Sequence, residues 1–457
     1  MKNSNSKIVK TRFAPSPTGF LHVGGLRTAL FNYLFAKQNN GSFVLRIEDT
    51  DRERFVEGAE SDIIKTLNQF GLKPDEGPSR QSEKLEIYKT FAQKLIDEGK
   101  AYEEKTEKGT AVRFKLSKSG FTEFTDMVYG GKQFKNELLK DPVILKSDGY
   151  PVYNFANVTD DHEASITHVI RGEEFISSTP IHIQIYQALG WETPEFAHVP
   201  LILDEQRKKL SKRTGDVAVN EYLKKGYIKE ALLNFIALLG WNPKSTDEIF
   251  SLDELVRVFA LEKINKSGAI FDVKKLDYVD REWRKKLKLE IVSDPLYNRT
   301  KKILKSSLSD HGEGWGEAGD KILSLIFPQI LDRIQGPSNL EEILPEFHFY
   351  FKRPEYENKL LIWKTMAPDQ IKQNLQMMKE FIQNLDENDF KKEILETKTK
   401  AFLASRGVPL GEALWPLRVA ISGQKNSPGP FEIIEVFTMI DKKEIFERID
   451  EAIGKIG

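Results

Sequence analysis

The stretch Lys7-Ile8-Val9-Lys10-Thr11-Arg12-Phe13-Ala14-Pro15-Ser16-Pro17-Thr18-Gly19-Phe20-Leu21-His22-Val23-Gly24-Gly25-Leu26 decides how the chain is read. Ile8, Val9 and Phe13 predict a short apolar strand, and Pro15 and Pro17 break it. From Leu26 to Phe35 apolar residues recur at helical spacing. His22-Val23-Gly24-Gly25 therefore sits where a loop becomes a helix. Backbone N–H groups without an intrahelical acceptor meet the positive end of the helix dipole there, which favours a phosphate. Gly24 and Gly25 leave room for a ligand to approach the backbone.

Two familiar phosphate motifs fail at this turn. Gly19 and Gly24 have P-loop spacing, but Gly25 and Leu26 stand where that motif needs Lys and Ser or Thr. The dinucleotide pattern of three spaced glycines is absent. A phosphate loop without its own lysine must borrow cations, and Lys208-Lys209-Leu210-Ser211-Lys212-Arg213 offers them. Alone, His22 reads as structural and the lysine run as a solvated surface. Their pairing argues for phosphate chemistry. Lys209 and Lys212 supply mobile ammonium charges for a developing pyrophosphate, Ser211 a hydroxyl donor, and Gly215 a point at which the loop can close.

Composition frames this reading. A chain of 457 residues, 40% hydrophobic and 30% charged, fits a globular protein of two to four domains. Lys+Arg 68 against Asp+Glu 69 gives a net charge of −1, so any RNA binding must rest on local basic surfaces. The absence of cysteine excludes disulfides and cysteine-zinc modules and is compatible with a reducing cytoplasm. The N-terminus lacks the apolar core of a signal peptide, and no apolar run is long enough to span a membrane, so no membrane partner is expected.

Beyond the first helix, Phe43–Ile47 predicts a second strand ending in Glu48-Asp49-Thr50-Asp51-Arg52. Ligands of open α/β sheets bind beyond the carboxyl ends of strands. Polar residues at two such ends suggest a site, although a solvated turn explains the same charges. Helices are predicted at Ile63–Gly71 and Glu83–Glu98. Residues 101–149 read as an insert in which Val112–Leu116 and Pro142–Lys146 alternate like strands. Asp160-Asp161-His162 reads as a polar turn, since adjacent residues rarely point at one ion. An amphipathic helix follows at Ile181–Leu189, then a buried strand over Phe196–Leu203 in which His198 is packed or hydrogen-bonded. Residues 228–240 predict a strongly apolar helix whose leucines core packing explains. From Glu290 onward amphipathic helices dominate, with Pro and Gly breaks near 336–345 and 423–430.

Four stretches taken together resemble a known family. Phe13–Gly25 resembles the HIGH signature of bacterial glutamyl-tRNA synthetases, and Lys209-Leu210-Ser211-Lys212-Arg213 is similar to their KMSKS-type loop. Between them, Arg46-Ile47-Glu48-Asp49-Thr50-Asp51 and Thr167-His168-Val169-Ile170-Arg171-Gly172-Glu173-Glu174 match the family in the same order. The resemblance is strong from about Thr11 to Trp283 and weaker, though collinear, to the end.

The resemblance implies an α/β fold: a Rossmann-like class I synthetase catalytic domain with an acceptor-binding insert, followed by all-helical stem-contact and anticodon-binding domains. The expected boundaries are 1–100 and 150–227 for the catalytic halves, 101–149 for the insert, 228–300 for the stem-contact domain and 301–457 for the anticodon-binding region. It implies that ATP activates L-glutamate to glutamyl-adenylate, which is then transferred to the terminal ribose of tRNA(Glu), and that ATP arrives with Mg²⁺. Catalysis would rest on charge stabilisation by His22, Lys209 and Lys212. ATP would meet His22, Gly24, Glu174, Leu210, Ser211 and Lys212. Glutamate would meet Arg12, Ala14, Ser16, Glu48, Tyr153, Asn157 and Arg171. Arg12 and Arg171 would act as bidentate donors to its carboxylates and Glu48 as acceptor for its ammonium group. A cytoplasmic monomer is expected.

Two departures stand out. Tyr102-Glu103-Glu104-Lys105 passes almost directly to Ala111-Val112-Arg113, where many relatives carry a longer, sometimes zinc-binding, segment. No zinc is expected here. Around Arg333-Ile334-Gln335-Gly336-Pro337-Ser338, either Arg333 or Gly336 falls where relatives specific for tRNA(Glu) place an arginine that reads the third anticodon base. With glycine there, tRNA(Gln) becomes a second expected partner. Three rival readings are a non-catalytic tRNA-binding paralogue, a tRNA-independent nucleotidyltransferase and a glutaminyl-tRNA synthetase. They conflict, in turn, with the intact signatures, with the long helical C-terminal region and with that region's lack of β-barrel pattern.

Overall fold

A computed structural model describes residues 8–107, 109–210, 218–308 and 315–456. The chain forms two compact units, Met1–Lys286 and Leu287–Gly457.

The first unit opens with strand β1 (Lys10–Phe13), helix α1 (Val23–Gln38) and strand β2 (Ser42–Ile47). Helix α2 (Ala59–Gln69), strand β3 (Glu76–Arg80) and helix α3 (Leu85–Asp97) complete the first half. β1, β2 and β3 pair in parallel, Lys10 facing Ser42 and Phe13 facing Leu45. α1 is apolar nearly all round: Leu26, Ala29, Phe31 and Phe35 are buried on different faces. Such a helix belongs between two layers.

Strands β4 (Ala101–Thr106) and β5 (Gly109–Phe114) follow, then β6 (Phe121–Asp126), β7 (Gly130–Lys135) and β8 (Val143–Leu145). Helix α4 (Tyr153–Glu163), strand β9 (His168–Gly172), helix α5 (Thr179–Leu189), strand β10 (Glu195–Val199) and strand β11 (Ile202–Leu203) build the second half. β9 and β10 are parallel, with Glu195 facing His168 and Val199 facing Gly172. The two sheets meet at β1 and β9, where the Thr167 N–H donates to the Lys10 carbonyl (2.9 Å). β1 continues to β2 and β9 continues to β10, away from each other, which makes this edge the switch point where α/β sheets bind ligands.

The expected insert is not one piece. β4, β5 and β8 form their own antiparallel sheet over Tyr88, Leu95 and Phe155. The β6–β7 hairpin instead extends the catalytic sheet in the order β7-β6-β10-β9, with Asp126 facing Phe196. The strand expected over Phe196–Leu203 is divided into β10 and β11 by Pro200, which has no N–H to continue a ladder. Asp160-Asp161-His162 is not a turn: it belongs to the last turn of α4, with Asp160 and Asp161 buried and His162 exposed.

Helices α6 (Val219–Lys224), α7 (Lys229–Leu238) and α8 (Leu252–Val258), strand β12 (Ala269–Ile270) and helix α9 (Val273–Leu287) finish the first unit. α8 starts at a capping box: Ser251 Oγ accepts the Glu254 N–H (3.3 Å), and the Glu254 carboxylate returns to the Ser251 N–H (2.7 Å).

The second unit contains helices α10 (Pro295–Leu308), α11 (Gly316–Arg333), α12 (Leu340–Ile343), α13 (Pro368–Gln383), α14 (Lys392–Ser405), α15 (Leu410–Ser422), α16 (Pro430–Ile440) and α17 (Lys443–Lys455). They surround a core that includes Phe327, Phe347, Phe349, Leu375, Leu417 and Phe437. The boundary expected at 300 falls inside α10, and the units part at Lys286 instead. Arg353 pins its loop to α17 through Glu444 (2.9 Å), Glu447 and Glu451 (2.6 Å), three carboxylates on one helix face.

Candidate active site

A cleft of about 790 Å³ opens over the carboxyl ends of β1, β2 and β9. Arg12, Ala14, Ser16, His22, Gly24, Glu48, Tyr153, Asn157, Arg171, Glu174, Lys209 and Leu210 all line it. Every predicted site residue among the described residues is thus on one wall or another of a single cavity. Ser211, Lys212 and Gly215 lie outside the described residues.

One end of the cleft is the start of α1. His22 is its N-cap, in extended conformation, and its Nδ1 accepts the Gly25 N–H (3.1 Å). The N–H groups of Val23 and Gly24 point out of the helix with no intrahelical acceptor. Glycine at 24 serves the imidazole as well as any ligand: a Cβ there would lie 3.1 Å from His22 Cε1 and Nδ1. The turn is held from α2, where Asp62 takes the Leu21 N–H (2.9 Å) and the Asn220 amide (2.6 Å). Asn220 follows the lysine loop, so one carboxylate keeps the loop's exit beside the helix start. Its entry is fixed by the Leu210 N–H to Ile202 carbonyl bond (2.9 Å). Lys209 reaches Glu174 across the cleft at 3.5 Å, an exposed pair that a stronger anion can replace.

The other end carries buried charge. Arg46 Nη1 and Arg12 Nε both donate to Asp161 (2.6 and 3.1 Å), and Arg46 Nη2 donates to Glu48 (3.1 Å). Asp160 is satisfied by Gln81 (2.8 Å) and by the Tyr88 hydroxyl (3.0 Å). Burial pushes the Asp161 carboxyl up, but the guanidinium groups of Arg12 and Arg46 outweigh it and hold the group below its ordinary range. At Glu48 burial wins over Arg46 and Arg12, and the carboxyl is raised. The anchoring roles of Asp160 and Asp161 escaped the sequence reading because their partners lie far away in sequence. The only signal was two adjacent acids in an otherwise amphipathic stretch. Asp62 and Asn220 gave no signal at all.

What this scaffold leaves unengaged is informative. Arg12 Nη1 and Nη2 and Glu48 Oε2 have no hydrogen-bond partner among the described residues, and both side chains line the cleft. Arg171, only 4% exposed, has no carboxylate within ion-pair distance among the described residues. Its partners are neutral: His198 Nε2 (3.1 Å), Tyr153 Oη (3.4 Å), His182 Nδ1 (3.1 Å) and Thr179 Oγ1 (2.8 Å). Burial, helped by the nearby Arg12 charge, lowers the guanidinium's proton affinity. The expected bidentate role of Arg171 meets a donor set that the protein already uses in large part. Four of its five N–H donors are occupied by the protein, and one on Nη2 remains. His198 is hydrogen-bonded, as the sequence suggests, between Arg171 and Asp126 (2.6 Å).

Among the described residues no group of three His, Asp or Glu side chains could hold a metal ion, and no helix is long and apolar enough to cross a membrane.

Comparison with known proteins bears on the cleft and on the helical unit separately. Residues 8–110 and 103–278 match the profile described as tRNA synthetases class I (E and Q), catalytic domain, and residues 296–453 match an anticodon binding domain. The chain is 40% identical to the glutamate–tRNA ligase of Clostridium kluyveri and 37% identical to that of Chlorobaculum parvum, each over 98% of both chains. A crystal structure of a glutamate tRNA ligase from Elizabethkingia meningosepticum, in complex with its amino acid, superposes with a TM-score of 0.82 at 31% identity, covering 99% of this chain and 100% of that one.

Proposed function

The chain belongs to the glutamate–tRNA ligase family of class I tRNA synthetases, and from that premise we propose how its own cleft performs the ligase reaction. ATP lies with its phosphates at the α1 N-terminus, and L-glutamate lies over β9 and the end of β2. One glutamate carboxylate oxygen attacks the α-phosphorus, the bond to the bridging oxygen breaks, and pyrophosphate leaves. A ribose hydroxyl of the 3′-terminal adenosine of tRNA(Glu) then attacks the adenylate carbonyl, and AMP departs.

No nucleophile of the protein is needed, so the barrier is lowered by alignment and charge. His22 Nδ1 caps α1 and keeps its first N–H groups directed at the phosphates. Gly24 and Leu210 line the nucleotide side, while Lys209, released from Glu174, meets charge developing on pyrophosphate. Ser211 and Lys212 are assigned the same task. Mg²⁺ would accompany ATP as part of the substrate and would offset charge on its phosphates.

The observation that carries the amino-acid half is the set of unengaged groups. Arg12 offers two free Nη groups, Arg171 an unneutralised charge with one free N–H, and Glu48 one free oxygen. Two cationic donor sites and one anionic acceptor site complement two carboxylates and an ammonium group. Ala14, Ser16, Tyr153 and Asn157 line the wall between them. The same reading has the chain act as a cytoplasmic monomer.

tRNA(Gln) is a second substrate in this reading. Arg333 is engaged by Glu346 (2.8 Å from Nε) and by the Ser427 carbonyl (3.3 Å), which leaves it poorly placed to read a base edge, and Gly336 has no donor side chain to offer. The test is ATP-dependent charging of purified tRNA(Glu) with labelled glutamate, with tRNA(Gln) in parallel at matched salt. Absence of charging on tRNA(Glu) would overturn the assignment of the cleft.

A further inference from the structure

Arg171 poses a physical problem: a guanidinium buried to 4% exposure must be oriented without a carboxylate that would compete with a ligand. The structure solves it at one remove. Arg171 Nε donates to His198 Nε2 at 3.1 Å, and an arginine has no acceptor, so Nε2 carries no proton. The single ring proton therefore sits on Nδ1 and donates to Asp126 Oδ2 at 2.6 Å. Asp126 is 1% exposed and is itself fixed by the N–H groups of Val128 (2.9 Å), Tyr129 (2.8 Å) and His198 (3.1 Å). Burial raises its carboxyl, yet the His198 hydrogen bond and these backbone donors outweigh burial and keep it ionised. Asp126 closes β6, in the region between the two catalytic halves, and nothing about its sequence context marks it as part of the amino-acid pocket.

We propose that Asp126 is a positioning residue for glutamate recognition, acting through the tautomer of His198 to hold Arg171 oriented and unneutralised in the cleft. The inference rests on the reading of Arg171 as a glutamate-binding residue. The imidazole passes on orientation but not charge: the carboxylate fixes which nitrogen bears the proton, and the other nitrogen fixes the guanidinium plane. The remaining Nη2 proton is thereby left aimed at the cleft. Direct contact between Asp126 and Arg171 would neutralise the charge, and an imidazole in the opposite tautomer would turn a donor against a donor.

Two substitutions separate this role from simple packing. In Asp126→Asn the amide oxygen keeps the Oδ1 place, where Val128 (2.9 Å) and Tyr129 (2.8 Å) donate and the His198 N–H lies 3.4 Å away, so the NH₂ group takes the Oδ2 place and faces His198 Nδ1. That nitrogen must then accept, and the ring proton moves to Nε2, against Arg171 Nε–H. In Asp126→Ala more hydrogen bonds are lost, but the ring is free to keep the tautomer that suits Arg171. Pyrophosphate exchange should show the glutamate KM of Asp126→Asn at least tenfold above wild type, the ATP KM within twofold, and Asp126→Ala less impaired for glutamate than Asp126→Asn. A purely structural Asp126 gives the reverse order, and that order, or an unchanged glutamate KM in Asp126→Asn, overturns the proposal. ¹⁵N spectra of histidine-labelled wild-type protein should show His198 protonated at Nδ1 alone; protonation at Nε2 overturns it without any variant having to fold. Arg171→Ala is assayed alongside. If it leaves the glutamate KM unchanged, the reading of Arg171 fails and this proposal with it. If it raises that KM while Asp126→Asn does not, only the role of Asp126 fails.

Discussion

Arg171→Ala should raise the glutamate KM in pyrophosphate exchange while leaving the ATP KM nearly untouched. The size of the effect follows from the donor count. Four of the five N–H groups already serve His198, Tyr153, His182 and Thr179, so a glutamate carboxylate gains one charge-assisted hydrogen bond rather than a fork. One such bond is worth about 1.5–3 kcal/mol, which corresponds to a rise in KM of roughly 10- to 150-fold. A buried bidentate ion pair would lose about 3–5 kcal/mol on truncation, so a rise well beyond a thousandfold would show that the fork reorganises around substrate. Arg171→Lys keeps the charge but not the planar donor set, and should fall between alanine and wild type. A thermal melt of each variant separates lost packing from lost recognition. A mutant that needs more ATP but no more glutamate would refute the reasoning, because Arg171 would then belong to the nucleotide side.

Lys212→Ala should slow adenylate formation by about 2–4 kcal/mol in barrier, the value of one transition-state charge contact, while tRNA affinity measured by filter binding stays close to wild type; equal rates at saturating ATP would remove Lys212 from the phosphate machinery. Glu48 is raised by burial beyond what Arg46 and Arg12 offset, and only its ionised form accepts an ammonium group, so glutamate affinity should fall as pH drops through that raised value and be flat above it. In Glu48→Gln the KM should be high and lose this pH dependence, which a KM–pH series would read directly. For tRNA choice, relaxing one base contact is worth about 1–3 kcal/mol, so kcat/KM for tRNA(Gln) should lie within a few hundredfold of that for tRNA(Glu). A preference of many thousands would exclude the second substrate.

The sequence showed the fold where local signals and long-range position agreed. Pro15 and Pro17 ended a strand and apolar residues at helical spacing from Leu26 to Phe35 marked a helix, so strand, loop and helix start were readable before any coordinate, whereas the His22 cap and burial of the helix all round came from the structure. The cleft residues were legible because four short stretches recur together in one family. What stayed hidden was pairing across the chain. Asp126 and His198 are seventy-two positions apart and Arg12 and Asp161 one hundred and forty-nine, distances at which no periodicity or turn rule operates. Asp160-Asp161 reads as a solvated turn because adjacent acids normally are one. Here the guanidinium groups that make burial tolerable arrive from β1 and β2. The split of the expected insert was likewise invisible, since strand order within a sheet is a property of tertiary packing.

Arg27 carries a further consequence. It sits in the second turn of α1, its guanidinium donating to the Leu239 carbonyl (3.1 Å) and to the Pro200 carbonyl, and burial lowers its pKa to about 10. The helix whose start lines the cleft is therefore bolted to the segment that leads to Lys209. Glu173 adds a second rivet by accepting the Leu201 N–H (2.9 Å) and the Tyr129 hydroxyl. A loop anchored in this way cannot travel with its base. Any movement of Lys209 must bend the chain beyond Leu201, so the lever arm is short and its fulcrum is set by Arg27 on α1 and by Glu173.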